Sequence, residues 1–173
     1  MKGLELDFKG LTPFIQEYEL NLMESSIYAA HDMLENKTGA GRNMLGWLDL
    51  PNRIKEEEIQ KIKAAASKIQ KQADVFIVIG IGGSYLGSKA VIDLFTDTFS
   101  NLKSQAERKF PQIIFAGNNM SGKYLRNLVE YIQDKDVAIN VISKSGTTLE
   151  PAITFRILKM FLEEKYGISR SFI

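Results

Sequence analysis

The chain has 173 residues, no cysteine and a formal net charge of +1, and 45% of its residues are hydrophobic. This composition is typical of a soluble globular protein with one ordinary domain. The lack of cysteine excludes disulfides, a thiol nucleophile and a thiolate metal site, and the balanced charge does not indicate a nucleic acid or membrane partner. Because the first residues lack the pattern of a signal peptide, we expect a cytoplasmic protein.

Residues 1–73 are predicted to form a helical segment. A first helix is expected up to about Asn36, followed by a glycine-rich loop in which Trp47 is interpreted as a core anchor. A second helix is predicted over Glu56–Gln72, with three glutamates in its first turn, where the helix dipole favours negative charge. The apolar positions that mark its expected buried face are Ile59, Ile62, Ala66 and Ile69.

Residues 74–173 have a different pattern, in which short apolar runs alternate with helical segments. The predicted strands are Val75–Ile79, Gln112–Ala116 and Val137–Ile142. Helices are predicted over about Tyr85–Thr96, Ser121–Ile132 and Leu149–Tyr166. Continuous apolar strands are typical of a parallel sheet that is buried on both faces. We therefore predict an α/β fold, doubly wound, with helices on both faces of the sheet and the flavodoxin-like strand order 2-1-3.

Two loops, Gly80–Gly87 and Ser143–Glu150, each follow a predicted strand and lead into a helix. A helix N-terminus offers unpaired N–H groups and a positive dipole end, and glycines allow an anion to approach the backbone closely. In a sheet of order 2-1-3, these loops follow neighbouring strands, so both are expected to hold one phosphate. The polar candidates are Ser84, Ser143, Ser145, Thr147 and Thr148, with Lys144 as the cation.

Other interpretations of these loops remain open or fail on detail. Thr147 with Glu150 has the pattern of a capping box, and Ser84 could simply cap its own helix. The spacing of the glycines in Gly80–Gly87 does not fit a dinucleotide-binding loop, and no acidic residue follows the second strand. His31 is the only histidine, so a His/Cys metal site is not expected.

Four strings in order resemble the glucose-6-phosphate isomerase family: Gly46–Pro51, Gly80–Gly87, Gly117–Asn119 and Ser143–Ile153. The resemblance implies a sugar-isomerase (SIS) domain that interconverts glucose 6-phosphate and fructose 6-phosphate, in glycolysis and gluconeogenesis, without metal or organic cofactor. It also implies that Ser84, Ser143, Lys144, Ser145 and Thr148 contact the sugar's phosphate. Gly82 and Gly83 would shape the first loop.

In this family the catalytic glutamate, histidine, lysine and arginine lie downstream of the two loops, so we expect no catalytic residue here. We therefore interpret the chain as a fragment whose residues 74–173 are the first part of an SIS domain, inactive alone. Its expected partners are a sugar phosphate and either a second copy or the missing C-terminal part, which would pair with the open edge of strand Val137–Ile142. The alternatives are a non-enzymatic SIS-type sensor or a structural piece with unoccupied loops.

Overall fold

The protein is described here by a computed structural model, which covers residue 5 and residues 7–168. Its helices are α1 (Glu17–Glu35), α2 (Leu50–Arg53), α3 (Glu56–Gln72), α4 (Leu86–Phe95), α5 (Gln105–Arg108), α6 (Gly122–Ile132) and α7 (Leu149–Tyr166). Its strands are β1 (Val75–Ile79), β2 (Gln112–Ala116) and β3 (Val137–Val141). The predicted strands are confirmed, except that β3 ends one residue earlier than expected.

The chain divides into two compact units, Met1–Glu56 and Glu57–Ile173. This division falls directly after the first residue of α3, whereas the boundary expected from the sequence falls after residue 73. The boundary between a helical segment 1–73 and a ligand-binding part 74–173 therefore stays a prediction. The helical character expected of the N-terminal segment is confirmed by α1, α2 and α3.

The sheet of the second unit is parallel and has the strand order β2-β1-β3, as predicted. Strand β1 pairs with both neighbours in register, so that Ile79 lies opposite Ala116 of β2 and Val141 of β3. This arrangement aligns the carboxyl ends of all three strands at one edge of the sheet. The loops that follow the strands therefore begin side by side.

Helices cover both faces of this sheet, which confirms the predicted doubly wound architecture. On one face, Ile77 of β1 is 0% exposed and packs in a cluster with residues of α6 and α7. The buried members of this cluster are Val75, Ile77, Ile79, Ala116, Leu128, Ile132 and Leu158. Each large aliphatic side chain in it contributes about 1.5–3 kcal/mol through burial. On the other face, the ring of Tyr85, just before α4, lies 5.7 Å from the ring of Phe115.

The outer edge of β2 is covered by side chains. The side-chain amide of Asn101 donates to the carbonyl oxygen of Ile113 (2.9 Å) and accepts from its backbone N–H (3.2 Å). The hydroxyl of Tyr124 donates to the carbonyl oxygen of Phe115 (2.9 Å), and burial raises the pKa of this tyrosine. These bonds satisfy backbone groups that a further strand would otherwise pair with.

The start of β3 is fixed by the end of α7. The hydroxyl of Tyr166 accepts from the backbone N–H of Val137 (3.0 Å) and donates to the carboxylate of Asp136 (3.2 Å). Burial is the main reason why the pKa of Tyr166 is raised. The ammonium of Lys165 donates to the carbonyl oxygens of Gln133 (2.8 Å) and Lys135 (2.6 Å). The C-terminal turn of α7 is thereby fixed to the connection between α6 and β3.

In the first unit, the carboxylate of Asp49 forms ion pairs with Lys37 and Arg53. Lys37, two residues after the end of α1, has a left-handed backbone (φ 54°), and the next residue, Thr38, donates its N–H to the carbonyl oxygen of Met33 (3.0 Å). The hydrogen bond from Lys37 is the main reason why the pKa of Asp49 is lowered. The ion pairs therefore connect the end of α1 to α2.

Two expectations for the helical segment are wrong. Trp47 is 60% exposed and is not a core anchor, and Ile62 on the expected buried face of α3 is 63% exposed. Within the described residues, no residue of α1, α2 or α3 is buried. An apolar helical face is buried only where another element packs on it, and helical periodicity alone does not reveal whether such an element exists.

Gly117, which follows β2, occupies a position that only glycine fits. Its backbone is left-handed (φ 80°), and an added Cβ atom would lie 2.8 Å from Cγ2 of Ile79 and 3.1 Å from Cα of Pro151. Because of this close approach, the loop after β2 packs against the end of β1 and the first turn of α7. We expect that Gly117→Ala lowers the free energy of unfolding by about 2 kcal/mol or more, because of backbone strain and overpacking.

Urea unfolding measures this effect, with Gly122→Ala as the matched control. An added Cβ atom at Gly122 meets no atom within 4 Å, so the control should change stability by less than about 1 kcal/mol. Equal stability of the two variants would contradict the packing role of Gly117.

Thr154 of α7 is 1% exposed, and its hydroxyl has no hydrogen-bond partner among the described residues. Valine has nearly the same shape and removes the unpaired group, so Thr154→Val should raise the free energy of unfolding by about 1 kcal/mol. The control is Thr96→Val, which removes the 2.7 Å bond from the Thr96 hydroxyl to the carbonyl oxygen of Ile92 and should destabilise the protein. Urea unfolding measures both variants. A lower free energy of unfolding in Thr154→Val would show that the Thr154 hydroxyl does not destabilise the folded protein.

Candidate phosphate site at the ends of two strands

The two candidate loops start next to each other. The backbone N–H of Ile142 donates to the carbonyl oxygen of Ile79 (2.9 Å), which continues the pairing of β1 and β3 to the last residue of each run. A Cβ atom at Gly80 would lie 3.3 Å from the carbonyl oxygen of Ile142. Gly80 therefore allows the backbones of the two loops to approach closely, a role that the sequence alone did not assign to it.

The first loop turns sharply at Gly82, where the backbone is left-handed (φ 56°), and then forms a short 3-10 turn over Gly82–Ser84. The N–H groups of Ser84 and Tyr85 are bonded to the carbonyl oxygens of Ile81 and Gly82. In the described part of the chain, no hydrogen bond uses the N–H groups of Gly82 or Gly83. An added Cβ atom at either glycine would meet nothing within 4 Å, so no group outside the immediate chain neighbours packs on the Cβ side of these residues.

Helix α4 begins directly after this turn, at Leu86. Its N-cap residue is Tyr85, which provides no side-chain cap, so the alternative in which Ser84 caps the helix is not observed. Among the described residues, the N–H groups of Leu86, Gly87 and Ser88 have no hydrogen-bond partner. The half-buried Ser84 thus lies immediately before a helix N-terminus that still has unpaired donors.

The second loop is held in place by its own hydroxyl groups. The Ser143 hydroxyl accepts from the N–H of Gly146 (2.9 Å), and Gly146 is left-handed (φ 71°). The Ser145 hydroxyl accepts from Thr147 and lies 3.5 Å from the Thr148 hydroxyl. These bonds close the loop into a compact turn that leads into α7.

Helix α7 begins at Leu149, with Thr148 as its N-cap residue and no side-chain cap. The capping box that pairs Thr147 with Glu150 is therefore not observed. Within the described residues, the N–H groups of Leu149 and Glu150 remain unpaired, and Pro151, the third helical residue, has no N–H to pair. The second loop therefore also ends at a helix N-terminus with free donors.

The charged candidate of the second loop is Lys144. Its side chain is exposed and forms no ion pair with any described residue. The three other loop residues Ser143, Ser145 and Thr147 are exposed as well, whereas Thr148 is half-buried. The loop therefore presents hydroxyls and one ammonium group to solvent beside a positive helix end.

The loop after β2 adjoins the first loop through two side chains. The amide of Asn118 lies 3.5 Å from the hydroxyl of Tyr85, whose ring packs on Phe115. Sequence reasoning did not assign Tyr85 a role. The only signal available was its position directly after Ser84, which does not reveal that its ring packs on the sheet.

Two surface clefts lie elsewhere on this unit. A cleft of about 440 Å³ lies between α4 and β2, and one of about 410 Å³ is lined by residues that include Tyr85, Phe115 and Asn118. None of the eight predicted phosphate-site residues lines either cleft. Six of the eight residues are exposed, so the two loops present most of the predicted site at the protein surface.

The described residues contain no cluster of three or more histidine, cysteine or acidic side chains able to hold a metal ion. In the same part of the chain, none of the helices has the length and apolarity that crossing a bilayer requires. The residues that could hold a ligand at the loops are hydrogen-bond donors, which suits an anion.

Comparison with solved structures shows the fold of the chain. A crystal structure of a hypothetical protein from Thermus thermophilus superposes with a TM-score of 0.67, over 92% of this chain and 34% of that protein. The two sequences are 23% identical. No family model matches the chain.

Curated relatives are much closer in sequence. Glucose-6-phosphate isomerase of Acetivibrio thermocellus is 49% identical over 167 residues, that of Clostridium novyi 51% over 166, and that of Fusobacterium nucleatum 52% over 167. Each match covers 96% of this chain and 37% of the relative. The sequence of this chain therefore matches the N-terminal part of the glucose-6-phosphate isomerases, over slightly more than a third of their length.

Proposed function

We propose that the two loops bind the phosphate group of a sugar phosphate, as the phosphate-binding part of a glucose-6-phosphate isomerase. The observation that carries this proposal is that the two loops begin side by side at the aligned ends of β1 and β3, and that each leads into a helix whose first amides no described residue pairs. The identity of about half of all residues with glucose-6-phosphate isomerases supports the choice of substrate. The reaction of the whole enzyme would be the interconversion of glucose 6-phosphate and fructose 6-phosphate.

Each part of the two loops has a role in this proposal. The N–H groups of Gly82 and Gly83 and the hydroxyl of Ser84 approach the phosphate from the first loop. From the second loop come the hydroxyls of Ser143, Ser145 and Thr148, with Lys144 as the cation. A hydrogen bond to a charged group contributes about 1.5–3 kcal/mol, so a few such contacts support weak but specific binding.

The rest of the active site would come from outside this chain, from the remaining part of the enzyme or from a second copy. The resemblance assigns proton transfer and ring opening to residues that follow the segment matched here. Because its substrate is a small water-soluble metabolite, we expect this activity in the cytoplasm.

Binding is tested by titrating glucose 6-phosphate into the chain in a calorimeter, with glucose as the ligand that lacks the phosphate. Ser84→Ala and Ser145→Ala remove one donor from each loop, and each should weaken glucose 6-phosphate binding by about tenfold or more. Ser67→Ala, on the exposed surface of α3, is the matched control and should bind as the unchanged chain does. Equal affinity for glucose and glucose 6-phosphate would contradict the proposal. Weaker glucose 6-phosphate binding in only one of the two variants, Ser84→Ala or Ser145→Ala, would contradict it as well.

Turnover is tested separately, by a coupled assay that detects fructose 6-phosphate formed by the 173-residue chain. We expect none above background, because enzymes lower barriers by about 8–23 kcal/mol and phosphate contacts alone do not provide a base for proton transfer. Robust turnover by the purified chain would show that this segment carries the catalytic groups itself.

A further inference from the structure

The hydroxyl of Ser145 is the centre of the hydrogen bonds in the second loop. Thr147 donates to this oxygen twice, from its backbone N–H (3.2 Å) and from its own hydroxyl (3.1 Å). A serine hydroxyl has one proton and two lone pairs. Both lone pairs of Ser145 are therefore occupied, and its proton is the only hydrogen-bonding capacity that remains.

This proton has no strong partner within the loop. The acceptor within reach among the described residues, the hydroxyl of Thr148, lies 3.5 Å away, whereas good O–H···O bonds span about 2.5–3.0 Å. The Ser145 side chain is exposed, so the proton is available to a better acceptor that arrives from solvent. Both donors of Thr147, in contrast, are already engaged.

We propose that Thr147 is a positioning residue that fixes the Ser145 hydroxyl as a donor. This inference rests on the proposed function and revises the prediction from the sequence, which made Thr147 a candidate for contacting the phosphate; here Thr147 acts through Ser145. The consequence is selectivity for the charge state of the ligand. Because the Ser145 hydroxyl can then only donate, this contact favours the fully deprotonated phosphate ester, since the monoanion carries a P–OH group that needs an acceptor.

The unpaired amides described above reinforce this selectivity. The N–H groups of Gly82, Gly83 and Leu149 are donors that have no acceptor function. A phosphate monoester loses its second proton at a pKa of about 6. Glucose 6-phosphate should therefore bind much better above this pH than below it.

The experiment measures the affinity for glucose 6-phosphate at about pH 7.5 and about pH 5, on either side of the second phosphate pKa of about 6. Glucose 6-sulfate, which carries no titrating proton in this range, reports any pH effect that arises from the protein itself. The variants are Thr147→Val, which keeps the shape but loses the hydroxyl, and Thr147→Ser, which keeps the hydroxyl. Thr98→Val, an exposed threonine outside both loops, is the matched control.

In Thr147→Val one lone pair of Ser145 becomes free to accept from the monoanion. We expect about three- to tenfold weaker binding at the higher pH, and a smaller ratio between the affinities at the two pH values. Thr147→Ser and Thr98→Val should keep the affinity and the ratio of the unchanged chain. The ratio within one variant is a readout that a general loss of stability would not reproduce.

Two results would overturn the inference and leave the proposed function intact: an unchanged pH ratio in Thr147→Val, or a Thr147→Ser variant that behaves as Thr147→Val does. Failure of the unchanged chain to bind glucose 6-phosphate at either pH would instead overturn the proposed function and this inference with it.

Discussion

Parallel pairing of β1 with β3 is the interaction on which the candidate site depends, because it sets the two loops side by side. The pairing runs in register from Val75 and Val137 to Ile79 and Val141, and the bond from Ile142 to Ile79 extends it into the loops. A slip by one residue would turn the buried side chains of β1 to the opposite face of the sheet. The core that buries Ile77 and Ile79 therefore fixes the geometry of the loops as well.

The loops combine rigid backbone turns with donors that are left unsatisfied. Glycines with left-handed backbones, Gly82 and Gly146, redirect the chain without placing a side chain in front of the amides. The close approach of Gly117 to Ile79 and Pro151 holds the loop after β2 against the end of β1 and the first turn of α7. A donor-rich surface of this kind is suited to an acceptor such as water or an anion.

Much of this arrangement was predictable from the sequence, for physical reasons. Continuous apolar runs that end in glycine or polar residues located the strands, and the 2-1-3 order then implied that the loops after β1 and β3 converge. The exposure of Trp47 and Ile62 was not predictable, since apolar periodicity shows which side of a helix is apolar but not what packs on it. The sequence also contains the residue types Ser145 and Thr147 without revealing which hydroxyl accepts, because that depends on distances between side chains.

The bonds of Asn101 and Tyr124 to the outer edge of β2 make the sheet asymmetric. The carbonyl oxygens of Ile113 and Phe115 and the N–H of Ile113 are already paired there. On the outer edge of β3, the one bond from a described side chain is that of the Tyr166 hydroxyl to the N–H of Val137, at the beginning of the strand. Lateral growth of the sheet is therefore directional. A fourth strand is disfavoured beside β2, whereas no described residue pairs with the outward backbone groups of Ile139 and Val141 in β3.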